Sequence, residues 1–127
     1  MTRVYDASAL LAVVFDEPGA DVVMSHLAHE GGAVSAVNWA EVGSKMIERG
    51  LQPQTLGREL STFAVEIVPF DAAQALVCAA LRLQTKALGL SLADRSCLGL
   101  AQARRAKAIT ADRAWAKLKG FDVALIR

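Results

Sequence analysis

Short apolar runs alternate with longer amphipathic segments along most of this chain. The short runs predict buried strands, and the segments with apolar residues at helical spacing predict helices. Glycines mark the boundaries, since Gly31-Gly32 breaks the chain before a strand and Gly50 follows the end of a helix. The predicted strands are Arg3–Asp6, Ala33–Ala36, Glu66–Phe70, Ala106–Thr110 and Val123–Ile126.

Helical segments lie between these strands, and two of them begin after a good capping residue. Asp71 is placed to cap one helix and Ser91 another. The predicted helices are Ser8–Phe15, Ala20–His29, a helix that ends at Arg49, Gln54–Phe63, Ala72–Thr85 and a helix from Ser91 to Arg105. Strands that alternate with helices predict an α/β fold with a mainly parallel central sheet of four to five strands. The 127 residues fit one domain, 1–127.

Composition narrows the class of protein. Hydrophobic residues make up 54% of the chain, which is ample for a core. The apolar runs Ala9–Phe15 and Ala75–Leu83 are too short to span a bilayer, and the N-terminus does not read as a signal peptide. Cys78 and Cys97 lie inside apolar helical patterns, so we expect reduced thiols and a cytoplasmic protein without a membrane partner.

Four carboxylates are the candidate chemical residues. Asp6 and Asp112 end or follow predicted strands, and Glu41 and Asp94 lie near the starts of predicted helices. Ligands of open parallel sheets bind beyond the carboxyl ends of the strands, where the strand order reverses. The four acids are therefore expected in one pocket. Their like charges repel one another, so the pocket is expected to bind a divalent cation. Taken singly, Asp6, Asp94 and Asp112 could each be no more than a helix cap.

The charge balance is compatible with a polyanionic substrate. The chain has 14 basic and 13 acidic residues and a net charge of +1. If four of the acids form one site, nine remain against the 14 basic residues on the rest of the molecule. An acidic pocket in a basic surround is a reasonable pattern for a metal-dependent enzyme that acts on a polyanion, although scattered solvated charge would give the same composition.

The chain resembles the PIN-domain family, and within it the VapC-like toxins of bacterial toxin–antitoxin pairs. The segments that carry the resemblance are Val4–Leu11, Ser35–Val42, Leu90–Leu98 and Ile109–Trp115. The resemblance implies a PIN-like three-layer sandwich. It also implies that an acidic quartet holds Mg²⁺ or Mn²⁺, with a polar residue one turn before the glutamate and two supporting hydroxyls. These residues are Asp6, Glu41, Asp94 and Asp112, with Asn38, Ser8 and Thr110 in support.

A function follows from the resemblance and from the chemistry of such a site. The chain is expected to be a metal-dependent endoribonuclease that hydrolyses RNA phosphodiester bonds as a toxin. The implied partners are RNA, a VapB-like antitoxin and a second copy of the chain. An antitoxin segment could lie against the helix face that bears Leu11, Val14 and Phe15, although burial in the protein's own core is the stronger expectation for those residues.

Other assignments remain open at this stage. The chain could be a phosphoacceptor signalling domain with Asp71 as its acceptor, or a non-catalytic PIN module that binds RNA or protein. His26 and His29 are spaced as metal ligands but fit a solvated helix face better. Arg95 could pair with an acid when metal is absent. A basic cluster could contact a phosphate backbone or simply end a helix, and it consists of Arg104, Arg105 and Lys107.

Overall fold

A parallel sheet of five strands forms the centre of the protein. The computed structural model describes residues 3–127. The strands lie in the order β3-β2-β1-β4-β5, and every neighbouring pair is parallel. The predicted α/β class and parallel sheet are therefore confirmed. The strands are β1 (Arg3–Tyr5), β2 (Gly32–Ser35), β3 (Val65–Val68), β4 (Lys107–Thr110) and β5 (Val123–Leu125).

Seven α-helices connect the strands in the described part of the chain. Most of the predicted helices are present with boundaries shifted by a residue or two. The helices are α1 (Ala7–Val14), α2 (Ala20–Glu30), α3 (Ala36–Glu48), α4 (Pro53–Thr62), α5 (Ala72–Ala80), α6 (Arg82–Thr85) and α7 (Leu92–Ala103). Two further 3₁₀ turns cover Lys86–Leu88 and Arg113–Lys117.

Two helix predictions were wrong in detail. The single helix predicted over Ala72–Thr85 is divided at Leu81, whose amide bonds to the Cys78 carbonyl three residues back. The Thr85 hydroxyl also donates to the Leu81 carbonyl at 2.7 Å, which competes with regular helical bonding there. The final helix that Asp112 was considered to cap is a 3₁₀ turn rather than an α-helix, as the bond from Trp115 N to the Asp112 carbonyl indicates.

Side chains of the central strands alternate between two apolar cores. Tyr5, Val34 and Ile109 face the core formed with α1 to α4. Their neighbours Val4 and Ala33 face the opposite core, which α7 and the turn after β4 complete. Burial on both faces explains why these strands are continuous apolar runs instead of alternating polar and apolar residues. The sheet is thus the middle layer of three, as a PIN-like sandwich requires.

The strand order reverses between β1 and β4. From β1 the chain builds outward through β2 to β3, and it then returns to add β4 and β5 on the other side. β1 and β4 pair in register from Arg3 with Lys107 to Tyr5 with Ile109. The residues that follow these two strands therefore leave the sheet side by side, which is the usual place for a ligand crevice.

Within residues 3–127, the longest apolar helices fall short of what a bilayer crossing requires.

Candidate active site

All four candidate carboxylates line one cavity of about 150 Å³ at the carboxyl ends of β1 and β4. The sequence places them up to 106 residues apart, and the crossovers of the sheet bring them together. The residues around this acidic cavity are Asp6, Ala7, Ser8, Leu11, Glu41, Lys45, Asp94 and Asp112. β1 and β4 are neighbours at the reversal of strand order. The predicted convergence of the acids depends on this pairing.

Asp6 lies deepest in this group. It is only 4% exposed, whereas Glu41, Asp94 and Asp112 are half-buried. Asp6 holds the capping position of α1, yet its side chain makes no capping bond to the helix. Its backbone carbonyl accepts from Ala9 N and its amide donates to the Ile109 carbonyl. Its carboxylate is therefore left for other partners, and the purely capping role considered from the sequence does not hold.

Two hydroxyls fix the Asp6 carboxylate and connect it to β4. Ser8 Oγ and Thr110 Oγ1 each donate to Asp6 Oδ2 at 2.8 Å. Each hydroxyl also accepts from a backbone amide, Ser8 from Ala111 at 2.9 Å and Thr110 from Asp112 at 3.0 Å. Because an ionised carboxylate can only accept, the hydroxyl protons must point to Asp6. The network thus holds the backbone before Asp112 against the start of α1.

The environment of Asp6 disfavours its charge. Burial raises the pKa of Asp6 to about 6 from its usual 3.8, and the nearby negative charges of Asp94 and Glu41 add to the increase. The hydrogen bonds from Ser8 and Thr110 act in the opposite direction. A cation in the cavity would remove much of this cost, because it would offset the buried charge directly.

Asp94 and Asp112 cap the elements that they begin. Asp94 forms a capping box with Ser91, in which Asp94 Oδ2 accepts from Ser91 N at 2.8 Å. Asp112 Oδ1 accepts from Ala114 N at 3.0 Å. In each case one carboxylate oxygen is held by the backbone, which restricts the direction of the other. Both roles considered from the sequence are thus compatible, since a capping aspartate that lines the cavity still has a second oxygen.

Asn38 connects α3, which carries Glu41, with α7, which carries Asp94. It is fully buried on α3, one turn before Glu41, and its Nδ2 donates to the Ala93 carbonyl at 3.0 Å. Ala93 precedes Asp94 in the first turn of α7. The hydrogen bond therefore joins α3, which carries Glu41, to the first turn of α7, which carries Asp94. Among the described residues, Asn38 Oδ1 has no hydrogen-bond partner despite its burial.

Lys45 also lines the acidic cavity, and sequence reasoning missed it. It lies four residues after Glu41 on α3, which places both side chains on one face of the helix. That spacing was the available signal. The signal is weak, because a lysine on an exposed helix face is ordinary.

The predicted basic cluster lies away from the cavity. Lys107 begins β4, while the acids follow the other end of that strand, about 10 Å further along at roughly 3.3 Å per residue. Arg104 makes two bonds of 3.0 Å to the Glu66 carboxylate, and Lys107 Nζ lies 3.9 Å from Asp122 Oδ1. These ion pairs favour the helix-end role for Arg104 and Lys107 over contact with a phosphate at the site.

The remaining candidates are also displaced from the cavity. Burial is the main cause that lowers the pKa of His26, and the nearby charges of Arg3 and Lys107 lower it further. These two residues begin β1 and β4, so His26 lies near the opposite ends of these strands. Arg95 donates to the Cys78 carbonyl at 3.3 Å rather than to an acid. Asp71 caps α5 by accepting from Gln74 N at 2.9 Å. It follows the edge strand β3, with β2 between that strand and β1.

The donor set of the acidic cavity fits a hard divalent cation. Carboxylate oxygens are the ligands that Mg²⁺ prefers, and Mn²⁺ accepts them as well. Within residues 3–127, no three His, Cys, Asp or Glu side chains are arranged to hold a metal ion directly. The four carboxylates surround the cavity without meeting at a point. A cation there would therefore be held partly through water, which is the usual behaviour of Mg²⁺.

Comparison with known proteins agrees with this class of α/β fold. A family model described as the PIN domain matches residues 3–120. The chain belongs to the PIN domain family. No curated protein matches it at the level of sequence.

Solved structures with the same fold are numerous but distant in sequence. A chain of a toxin–antitoxin complex from Klebsiella pneumoniae is 24% identical, with a TM-score of 0.80 over 99% of this chain and 98% of that one. A chain of VapBC2 from Rickettsia felis, bound to a DNA fragment from its promoter, is 17% identical with a TM-score of 0.71. A chain of FitAcB from Neisseria gonorrhoeae is 19% identical with a TM-score of 0.69. The matches to VapBC2 and to FitAcB each cover 98% of this chain and 98% of the other.

Proposed function

We infer that this PIN-domain protein is a Mg²⁺- or Mn²⁺-dependent endoribonuclease, and that it acts as the toxin of a toxin–antitoxin pair in the cytoplasm. The observation that carries the inference is the acidic cavity. Four carboxylates from distant segments line it, at the reversal of strand order, and the most buried of them has a pKa raised to about 6. Such an arrangement costs stability unless a cation is bound, so it is best explained by a function.

The residues of the cavity have distinct roles in this proposal. The four carboxylates would hold the cation, which would withdraw charge from a scissile phosphate and lower the pKa of an attacking water. Ser8 and Thr110 hold Asp6 in one orientation and connect it to the backbone of Asp112. Asn38 holds α3 against α7. The protein thus contributes a prearranged set of oxygens, and no histidine is needed as a base.

Structural neighbours support the toxin role. Three of them are described as toxin–antitoxin, VapBC and FitAcB structures. A groove of about 320 Å³ between α1, α3 and α4 is suited to an antitoxin segment, and Val14, Met46 and Leu56 line part of it. Of the predicted helix face, Val14 lines this groove, Leu11 is buried beside the acidic cavity, and Phe15 lies under the Arg49 guanidinium at 4.1 Å.

The position of this groove suggests how inhibition would work. Leu11 in the cavity and Val14 in the groove are one turn apart on α1. A segment bound in the groove could therefore extend a cationic side chain into the acidic cavity and replace the metal. Such a segment would gain charge pairs there that offset the cost of ordering it.

The decisive experiment is cleavage of mixed cellular RNA with and without Mg²⁺ or Mn²⁺, with the cut sites mapped. Asp94→Asn removes one charge with little change in shape and is expected to reduce cleavage by orders of magnitude. His26→Ala is the control and is expected to cut normally, because His26 lies near the opposite ends of the strands. Full activity of Asp94→Asn at limiting metal would contradict the assignment.

A growth experiment tests the toxin role separately. Expression of the chain alone is expected to arrest growth, and Asp6→Asn is expected to abolish the arrest. Co-expression of the protein encoded beside it is expected to restore growth. Arrest that persists with Asp6→Asn would separate toxicity from the acidic cavity.

A further inference from the structure

Lys45 is the one basic residue among those that line the acidic cavity. Its side chain is exposed and follows Glu41 by one turn of α3. Within residues 3–127, no carboxylate lies within 4.0 Å of its ammonium group. The lysine therefore stands beside four acids without forming a close ion pair with any of them.

An RNA strand that approaches this cavity meets a strong electrostatic obstacle. Its phosphates are negative, and the four carboxylates repel every phosphate that a bound cation does not contact. The basic cluster at Arg104 and Lys107 gives no help, because it lies at the other end of β4 and is engaged by Glu66 and Asp122. A positively charged side chain that lines the cavity is needed to hold the strand on either side of the cut.

We propose that Lys45 binds an RNA backbone phosphate adjacent to the one that is cleaved. The proposal rests on the proposed ribonuclease function and names a substrate contact for it. An exposed, flexible ammonium group suits this role, since it can follow a phosphate without a fixed geometry. Lys45 would position the strand, and it would take no part in the chemical step.

This role differs measurably from that of a counter-ion to the acids. A lysine that only offsets the carboxylates would change metal affinity and stability, and it would leave RNA affinity at saturating metal unaffected. A lysine that holds a flanking phosphate would change KM and the salt dependence of binding. Loss of one phosphate contact lowers the slope of log K against log salt by about 0.7 for a single strand.

The test compares Lys45→Gln and Lys45→Arg with Lys119→Gln. Lys119 is an exposed lysine that does not line the cavity, so its substitution is the matched control. At saturating Mn²⁺, Lys45→Gln is expected to raise KM for a short RNA about five- to tenfold, while kcat stays within about twofold. Lys45→Arg is expected to restore KM, and Lys119→Gln is expected to match the wild type.

A binding measurement separates failure of this inference from failure of the proposed function. Anisotropy of a labelled RNA oligonucleotide is followed across a salt series with each variant in the Asp94→Asn background. Cleavage by the wild type with an unchanged KM and salt slope in Lys45→Gln overturns the role of Lys45 alone. Binding that depends on Lys45 without cleavage by the wild type overturns the nuclease and supports the contact. Absence of both RNA cleavage and RNA binding by the wild type at saturating Mn²⁺ overturns both.

Discussion

Replacing the buried Asp6 by asparagine should stabilise the metal-free protein while it removes the proposed nuclease activity. Asp6 is 4% exposed, and its burial raises its pKa to about 6. The charged carboxylate is therefore a cost to the fold at neutral pH. Asparagine has nearly the same shape, and its carbonyl oxygen can still accept from Ser8 and Thr110, but it carries no charge.

The raised pKa sets the size of the effect. The pKa of Asp6 moves from 3.8 to about 6 on folding. At about 1.4 kcal/mol per pKa unit, this corresponds to about 3 kcal/mol of stability lost at pH 7. The new amide group must find a hydrogen-bond partner or remain unsatisfied, which costs about 1–2 kcal/mol. Asp6→Asn is therefore expected to gain about 1–3 kcal/mol in the free energy of unfolding at pH 7 without metal.

The pH dependence of this gain has a definite sign. Between pH 4 and pH 6, the folded wild type holds a proton that the unfolded chain has released, as the raised pKa requires. The stability contributed by protonated Asp6 is therefore complete below pH 4, and it is lost as the pH rises to about 6. The advantage of Asp6→Asn should appear over the same interval and should level off above it.

Urea denaturation at pH 4 and pH 7 in the presence of a chelator measures both effects. Glu59→Gln is the control, because it makes the same change of acid to amide at an exposed position on α4. Saturating Mn²⁺ should reverse the order at pH 7, since only the wild type retains all four carboxylates. An Asp6→Asn protein that is less stable than the wild type at pH 7, or equally different at both pH values, would refute the reasoning.

Three further predictions concern the metal, the hydroxyl network and the oligomeric state. Saturating Mn²⁺ should raise the melting temperature of the wild type, and Glu41→Gln should reduce the gain; an unchanged wild-type melting curve would count against a metal site. Thr110→Val removes a donor to Asp6 and an acceptor for the Asp112 amide, so urea denaturation should show a loss of about 1–3 kcal/mol, and no loss would mean that the network contributes little. The PIN resemblance implies a homodimer, and the exposed Leu83 on α6 is a candidate interface residue at 88% exposure. Light scattering at tens of micromolar should show a dimer that Leu83→Lys dissociates, and a monomeric wild type would contradict this expectation.

Much of the fold could be predicted from local signals, and so could the position of two site acids at one edge of the sheet. Apolar runs, glycine breaks and capping residues defined most of the strands and helices. Once Asp6 and Asp112 were known to follow parallel strands, the topology of such sheets predicted that both lie at the same edge. The sequence does not predict which strands are neighbours, so the pairing of β1 with β4 is known only from the structure.

The features that could not be predicted depend on contacts between distant segments. The bonds from Arg104 to Glu66 join the end of α7 to β3, and no local pattern indicates that this arginine is already paired. The interruption at Leu81 could not be predicted either, because an apolar run of helix formers favours one continuous helix. The turn arises from competition for backbone bonds and from burial of Leu81 against the second core.

The capping aspartates show why a structural role and a chemical role should not be treated as exclusive. A carboxylate has two oxygens, and a cap occupies one of them, as Asp94 Oδ2 and Asp112 Oδ1 do. The held oxygen limits rotation of the group, so its partner oxygen is already oriented before any ligand binds. Asp6 reaches the same result through two hydroxyls on one oxygen. The acidic cavity is therefore prearranged by the same backbone amides and hydroxyls that begin its helices and close its sheet.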